Sequence, residues 1–410
     1  MKRNLYVGTI FVALLVALGV GSAVLQKKAS VEAADVQAPM FEVDPLWPKP
    51  LPNHWLLGMA IGVSADPQDH IWIIHRPRTL DALERHATTN PPIAMCCAPA
   101  PAVLEFDQEG NLMRGWGGPG KGYDWPRAEH GITIDYKGNV WIGGSGRAPA
   151  PAGASASEVG GPVPFADDQI LKFTESGKFL MQIGHPGMSR GSSDVENLRA
   201  PAKTFVDPKT NELYVSDGYG NHRVIVFDAD TGKFKRMWGA YGHKPEDIKV
   251  GNYDPDAPPD QQFRNPVHCA QLSDDGLLYV CDRENDRIQV FKPDGTFVKE
   301  KFIAKRTLGS GSVWDIAFSK DPQQKYIYLA DGENDRVHIL LRDTLEVLTT
   351  FGEGGRQPGE FYGVHSIATD QQGNIYTTET YHGQRVQKFV YKGLGPVAKE
   401  DQGVPWPKGL

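Results

Sequence analysis

CDRENDRIQVF (281–291) reappears with small changes as DGYGNHRVIVF (217–227) and DGENDRVHIL (331–340). Each copy carries an aspartate, then a polar turn containing N-x-R, then an alternating run of branched or aromatic residues. Each copy follows an aromatic, β-branched run: LYV (278–280), ELYVS (212–216) and YIYLA (326–330). Each also precedes a polar turn and a further apolar run. NIYTTETYHGQRVQKFVYKG (374–393) is a fourth unit of this kind. HIWIIHRPR (70–78) with AVLEFDQEGNLMRGWG (102–117), and NVWIGGSGR (139–147) with QILKFTESGKFLMQIG (169–184), are two looser ones. Period-two alternation, Gly/Asp turns and the absence of helical periodicity point to antiparallel β-structure. Six repeats of about four strands each predict an all-β, six-bladed propeller with four-stranded antiparallel blades around a central channel. The last unit lacks an outer strand. Residues around Phe41 to Asp44 are expected to supply it and fasten the ring.

Two domains are expected: residues 1–34 as a signal peptide or membrane anchor, and 35–410 as the propeller. Lys2 and Arg3 precede an apolar stretch from Leu5 to about Leu25, and Gly21, Ser22 and Ala23 offer a cleavage site. The stretch is also long enough to span a bilayer if it is retained. Either way the rest is expected to be exported, to the periplasm or the extracellular space, with no membrane contact except through that anchor. The 410 residues carry a net charge of −7 and no basic run beyond the N-terminus, which argues against a nucleic-acid partner. A small-molecule or peptide-derived substrate and a monomeric state are expected. Cys269 and Cys281 flank a turn-like SDDG, so a cross-strand disulfide and two half-buried thiols are both open readings. Adjacent Cys96 and Cys97 do not easily bridge each other.

The histidines show a pattern. Each unit can be numbered from the turn residue that ends its first strand: Asp66, Asp135, Asp207, Ser273, Ser319 and Asp370. Five residues earlier stand Ile61, His130, Ala202, His268, Trp314 and His365. Histidine holds this register in blades two, four and six, and there alone. In a six-fold ring those blades lie about 120° apart, so three imidazoles point at one centre. A catalytic zinc site with an open fourth position needs that arrangement. The second strand of each blade returns to the same face, which places His75, Arg76, Tyr219, Arg283 and Tyr381 near the histidines. Three long inserts, 77–101, 144–168 and 240–264, emerge there too and suggest a substrate entrance. Lys203 and Asp315, one position after the histidine register, read as a channel ion pair or as extra substrate contacts. Arg287 reads as a surface arginine in a turn.

The D…NxR(V/I)xx(F/L) repeat resembles the NHL-repeat propellers. IIHRPR (73–78), EHGITID (129–135), YVSDGYGNHRV (214–224), NPVHCAQL (265–272), CDRENDRIQVF (281–291) and VHSIATD (364–370) resemble, in order and spacing, the peptidyl-α-hydroxyglycine α-amidating lyases. The resemblance implies that His130, His268 and His365 bind zinc. It implies that Tyr219 acts as base or proton-positioning group, and that Arg76 and Arg283 stabilise an oxyanion and hold a substrate carboxylate. The activity it implies is cleavage of the C–N bond of a carbinolamide to an amide and a glyoxylate-type product. Departures stand at Gly363 (methionine in the family), Ser366 (an aspartate used for calcium) and Gly220 (a cysteine), so calcium is doubtful and the family disulfides are not reproduced. Two other readings remain: a metal-dependent hydrolase or lactonase on the same face, and a non-catalytic extracytoplasmic binding module.

Overall fold

The computed structural model describes residues 36–146, 166–397 and 401–407. The expected signal or anchor (1–34) and most of the 144–168 insert lie outside the described residues.

Strands form wherever the sequence alternates branched or aromatic residues, because both faces of each inner strand are buried between neighbouring sheets. Ile71–Arg76 illustrates this: Ile71 and Ile73 pack towards one neighbouring blade, Trp72 and Ile74 towards the other. Six antiparallel sheets of four strands result, with a separate two-stranded parallel pair, Trp55–Leu56 with Ala98–Pro99, tying down the first insert. The innermost strands of blades one to six are Met59–Ala65, Glu129–Ile134, Lys203–Val206, Val267–Leu272, Asp315–Phe318 and Val364–Thr369. Each touches the next in cyclic order, and the last touches the first. This is the six-bladed propeller expected.

Gln37–Asp44 pairs antiparallel with Val386–Pro396 as the outer strand of blade six, with Phe41 opposite Tyr391 and Asp44 opposite Lys388. The start of the described chain therefore closes the ring, as the missing strand required. Six apolar clusters fill the six blade interfaces. Burial of this kind supplies most of the driving force for folding.

The repeat motif is a brace. Asp217 accepts from Asn221 Nδ2 (2.7 Å) and Arg223 Nε (2.8 Å); Asp282 accepts from Asn285 Nδ2 (2.8 Å) and Arg287 Nε (2.7 Å). Arg287 is fully buried, which corrects its reading as a surface arginine. In blade five the same aspartate, Asp331, is met by Asn334 and by His338 Nε2 (2.9 Å) instead of an arginine. Cys269 and Cys281 face each other across the first strand pair of blade four and are disulfide-bonded. Cys96 and Cys97 are bonded to each other, against the expectation for adjacent cysteines.

Candidate metal centre

His130, His268 and His365 converge at one end of the channel. Their ring centroids stand 4.8 to 5.0 Å apart, a nearly equilateral triangle. One ligand atom from each lies within 4.8 Å of the others.

The intervening blades explain the aim of these rings. The Nδ1 atoms of His130, His268 and His365 bond the backbone oxygens of Ala202, Trp314 and Ile61, at 2.5 to 2.7 Å. Those acceptors occupy the histidine register in blades three, five and one. Even blades thus supply imidazoles, and odd blades supply the carbonyls that hold them. A carbonyl only accepts, so each Nδ1 carries the hydrogen and each Nε2 presents a lone pair to the centre. Burial comes first and holds all three imidazoles well below their usual range; charged neighbours add to it, Arg283 at all three and Arg76 at His130 and His365. They are neutral and ready to act as ligands.

The Tyr219 hydroxyl lies 2.9 Å from His130 Nε2 and 3.1 Å from His268 Nε2. It can donate its one hydrogen to only one of them. Arg283 Nη1 donates to the same oxygen at 3.2 Å, and Arg283 Nε donates to the Ser310 carbonyl. Two acceptor nitrogens therefore share a single phenolic hydrogen, and the third, His365 Nε2, faces the same centre. A cation at the centre would answer that shortage, so the donor set fits a metal ion.

Arg76 is buried, with Nε on the Glu129 carbonyl (2.8 Å) and Nη2 on Ser145 Oγ (2.8 Å). It is close enough to feel Tyr219 and Tyr381 electrostatically. Sequence reasoning placed Arg76, Tyr219, Arg283 and Tyr381 on this face, and the structure brings them together. Trp314 was in the register but not recognised as part of the site. Its ring lies 5.4 Å from that of His365, beneath the Arg283 guanidinium at 4.4 Å, and 6.4 Å from Tyr381. Only its place in the histidine register could have announced it. His75 is not a ligand: Gly58 N–H donates to its Nδ1 (3.1 Å), and its Nε2 bonds the Pro101 carbonyl (2.9 Å). Lys203 and Asp315 form an ion pair across the channel, 2.6 Å at the shortest, one position along the strands from the triangle.

No protein-family model matches the chain. It is similar to the peptidylglycine alpha-amidating monooxygenase of Mus musculus, 31% identical over 269 residues, 64% of this chain and 23% of that protein. It is also similar to peptidyl-alpha-hydroxyglycine alpha-amidating lyase 2 of Drosophila melanogaster, 25% identical over 381 residues, 87% of this chain and 77% of the lyase. NHL repeat-containing protein 3 of Homo sapiens is 27% identical over 309 residues, 71% of this chain and 73% of that one. The chain spans about a quarter of the length of the two Xenopus laevis amidating monooxygenases it matches, 26% and 24%. A solved streptogramin B lyase aligns at a TM-score of 0.47 and 12% identity, covering 87% of this chain and 98% of that one. The homologues of this NHL-type propeller thus include amidating enzymes and lyases.

Proposed function

We propose that this propeller is a zinc-dependent carbon–nitrogen lyase that cleaves a carbinolamide of the α-hydroxyglycine type to an amide and a glyoxylate-type carbonyl product. The observation that carries the reading is the Tyr219 hydroxyl shared between His130, His268 and Arg283. His130, His268 and His365 would hold the zinc through Nε2. Bound there, zinc supplies Lewis acidity that makes a substrate hydroxyl easier to deprotonate.

The remaining steps belong to the chain. Arg76 and Arg283 bind the substrate carboxylate, a role suited to the planar guanidinium. Tyr219 takes the proton of the carbinol hydroxyl while passing on its own hydrogen. The oxygen's electron pair forms the C=O bond of the product as the C–N bond breaks. The departing amide nitrogen takes the hydrogen that Tyr219 passes on, so the tyrosine ends the cycle as it began. A hydrolase would need a water aimed at an acyl carbon; a phenol lodged against two ligand nitrogens and an arginine favours proton transfer within the substrate instead.

The test is the zinc content of the purified chain beside His268→Ala, with glyoxylate release from α-hydroxyhippurate measured in both. The parent is expected to carry about one zinc and to release glyoxylate, the variant neither. A parent that takes up no zinc sinks the proposal and favours the binding-module reading. A zinc-loaded parent that cleaves esters or lactones but no carbinolamide favours the hydrolase.

A further inference from the structure

Between blades one and two, next to Arg76, lies a cavity of about 540 Å³. Pro77, Pro101, Pro126 and Trp125 contribute apolar walls, and Arg78 and Glu129 contribute charge. The volume suits a ligand group the size of an aromatic side chain with its backbone.

Glu129 is the informative residue. Its Oε1 accepts from Trp125 Nε1 at 2.8 Å, but its Oε2 is buried and has no hydrogen-bond partner. Arg78 Nη2 stands 3.9 Å from that oxygen, too far for a hydrogen bond. Buried carboxylate oxygens are normally satisfied, because leaving one without a donor costs the desolvation of a charge. The Arg78 side chain is 44% exposed, so it can move aside or close in as a ligand arrives. Glu129 also directly precedes His130, and its backbone carbonyl is the one that holds Arg76. Cavity and metal centre are therefore back to back, with the carboxylate-binding arginine between them.

We infer that this cavity is a substrate subsite, and that it takes a flat apolar group carrying a hydrogen-bond-donating N–H. That group belongs to the portion of the substrate on the nitrogen side of the bond that breaks; the inference rests on the lyase reading for that assignment. The proline and tryptophan faces pack the ring. Glu129 Oε2 accepts the N–H and gains its missing donor. The same carboxylate disfavours an acidic group in this place.

Two glycine-ended ligands that lack the carbinol hydroxyl, and so cannot be cleaved, test the subsite apart from catalysis. N-acetylglycine is too short to reach the cavity, whereas N-acetylphenylalanylglycine fills it. Calorimetric titration of the zinc-supplied chain is expected to show the longer ligand binding at least tenfold tighter. Glu129→Gln puts an amide donor where the acceptor oxygen was, and should cut that preference about tenfold. Arg78→Ala, at an exposed side chain, is the second variant and should change the preference without threatening the fold; near-ultraviolet circular dichroism checks both. Equal binding of the two ligands by the parent, or an undiminished preference in both variants, overturns the subsite. So does failure of both ligands to bind a chain shown to carry zinc. Turnover of α-hydroxyhippurate is read separately: binding preference without turnover would sink the lyase reading and leave the subsite standing.

Discussion

Two adjacent layers of the channel, one residue apart along the strands, solve the problem of buried polar groups in opposite ways. The upper layer holds three neutral imidazoles, one phenol and too few hydrogens for the nitrogens that face inward. The lower layer holds Lys203, whose ammonium bonds both oxygens of Asp315 at 2.8 and 2.6 Å. Asp315 also accepts from Ser366 Oγ (2.6 Å) and the Ile367 and Ile316 amides. The lower layer carries its own cation and is complete. The upper one has fewer hydrogens than inward-facing acceptors, a donor set that could hold a cation. Function and stability are thereby separated within a few ångströms, and variants should show them separating.

The largest effect is expected at Tyr219. Tyr219→Phe removes the single phenolic hydrogen, leaving the three lone pairs and the metal site intact. Turnover should fall by about 10²–10⁴, the usual worth of a positioned proton-transfer group, while zinc content stays near that of the parent. Loss of zinc together with activity would mean that the phenol holds the layer together and does no proton chemistry. Next comes Lys203→Met, which leaves the buried Asp315 carboxylate without its counter-charge. Stability in urea should drop by about 3–5 kcal/mol, and Asp315→Asn in the same chain should recover part of it. Zinc uptake by the folded fraction should persist. If it vanishes, the two layers are one unit and the contrast between them fails.

How much of this was legible beforehand follows the same division. The register Ile61, His130, Ala202, His268, Trp314, His365 was visible because a strand repeat fixes height along the channel, and height was enough to bring three histidines together. The closing strand was visible as a missing strand in the last repeat. What the repeat could not give was direction. Nothing in the sequence said that the odd-blade carbonyls would receive the Nδ1 hydrogens, because backbone oxygens carry no residue identity. Lys203 and Asp315 were left between two roles, because their pairing spans 112 positions and depends on which way two side chains turn. The surface reading of Arg287 fails because the connection before blade four covers it, through the Tyr241 hydroxyl and the Gln262 carbonyl, a tertiary contact that a polar turn motif conceals. The Glu129 cavity had no signal at all; it is made by loops of two blades.

His75 gives the smallest effect and sharpens the contrast, since it is a buried histidine that needs no metal. Both of its nitrogens are satisfied by the chain, Nδ1 by Gly58 N–H and Nε2 by the Pro101 carbonyl. That pairing requires the neutral ring, and burial pushes its pKa down to about 4. The unfolded chain takes up the proton near 6.5, so above that pH the two states bind equally few protons and the stabilisation is fully present. As pH falls from 6.5 towards 4 the unfolded state binds the extra proton, and stability is lost: roughly 2 kcal/mol between pH 7 and pH 5, and about 3 by pH 4. Urea midpoints of the parent and His75→Asn, both with zinc chelated, isolate this contribution, because the triangle histidines are common to both chains and cancel. The gap between parent and variant should widen by roughly 2 kcal/mol from pH 5 to pH 7. A gap that stays constant would mean that the His75 ring is not held neutral by its two backbone partners. A gap that widens only when zinc is present would make His75 part of the upper layer after all.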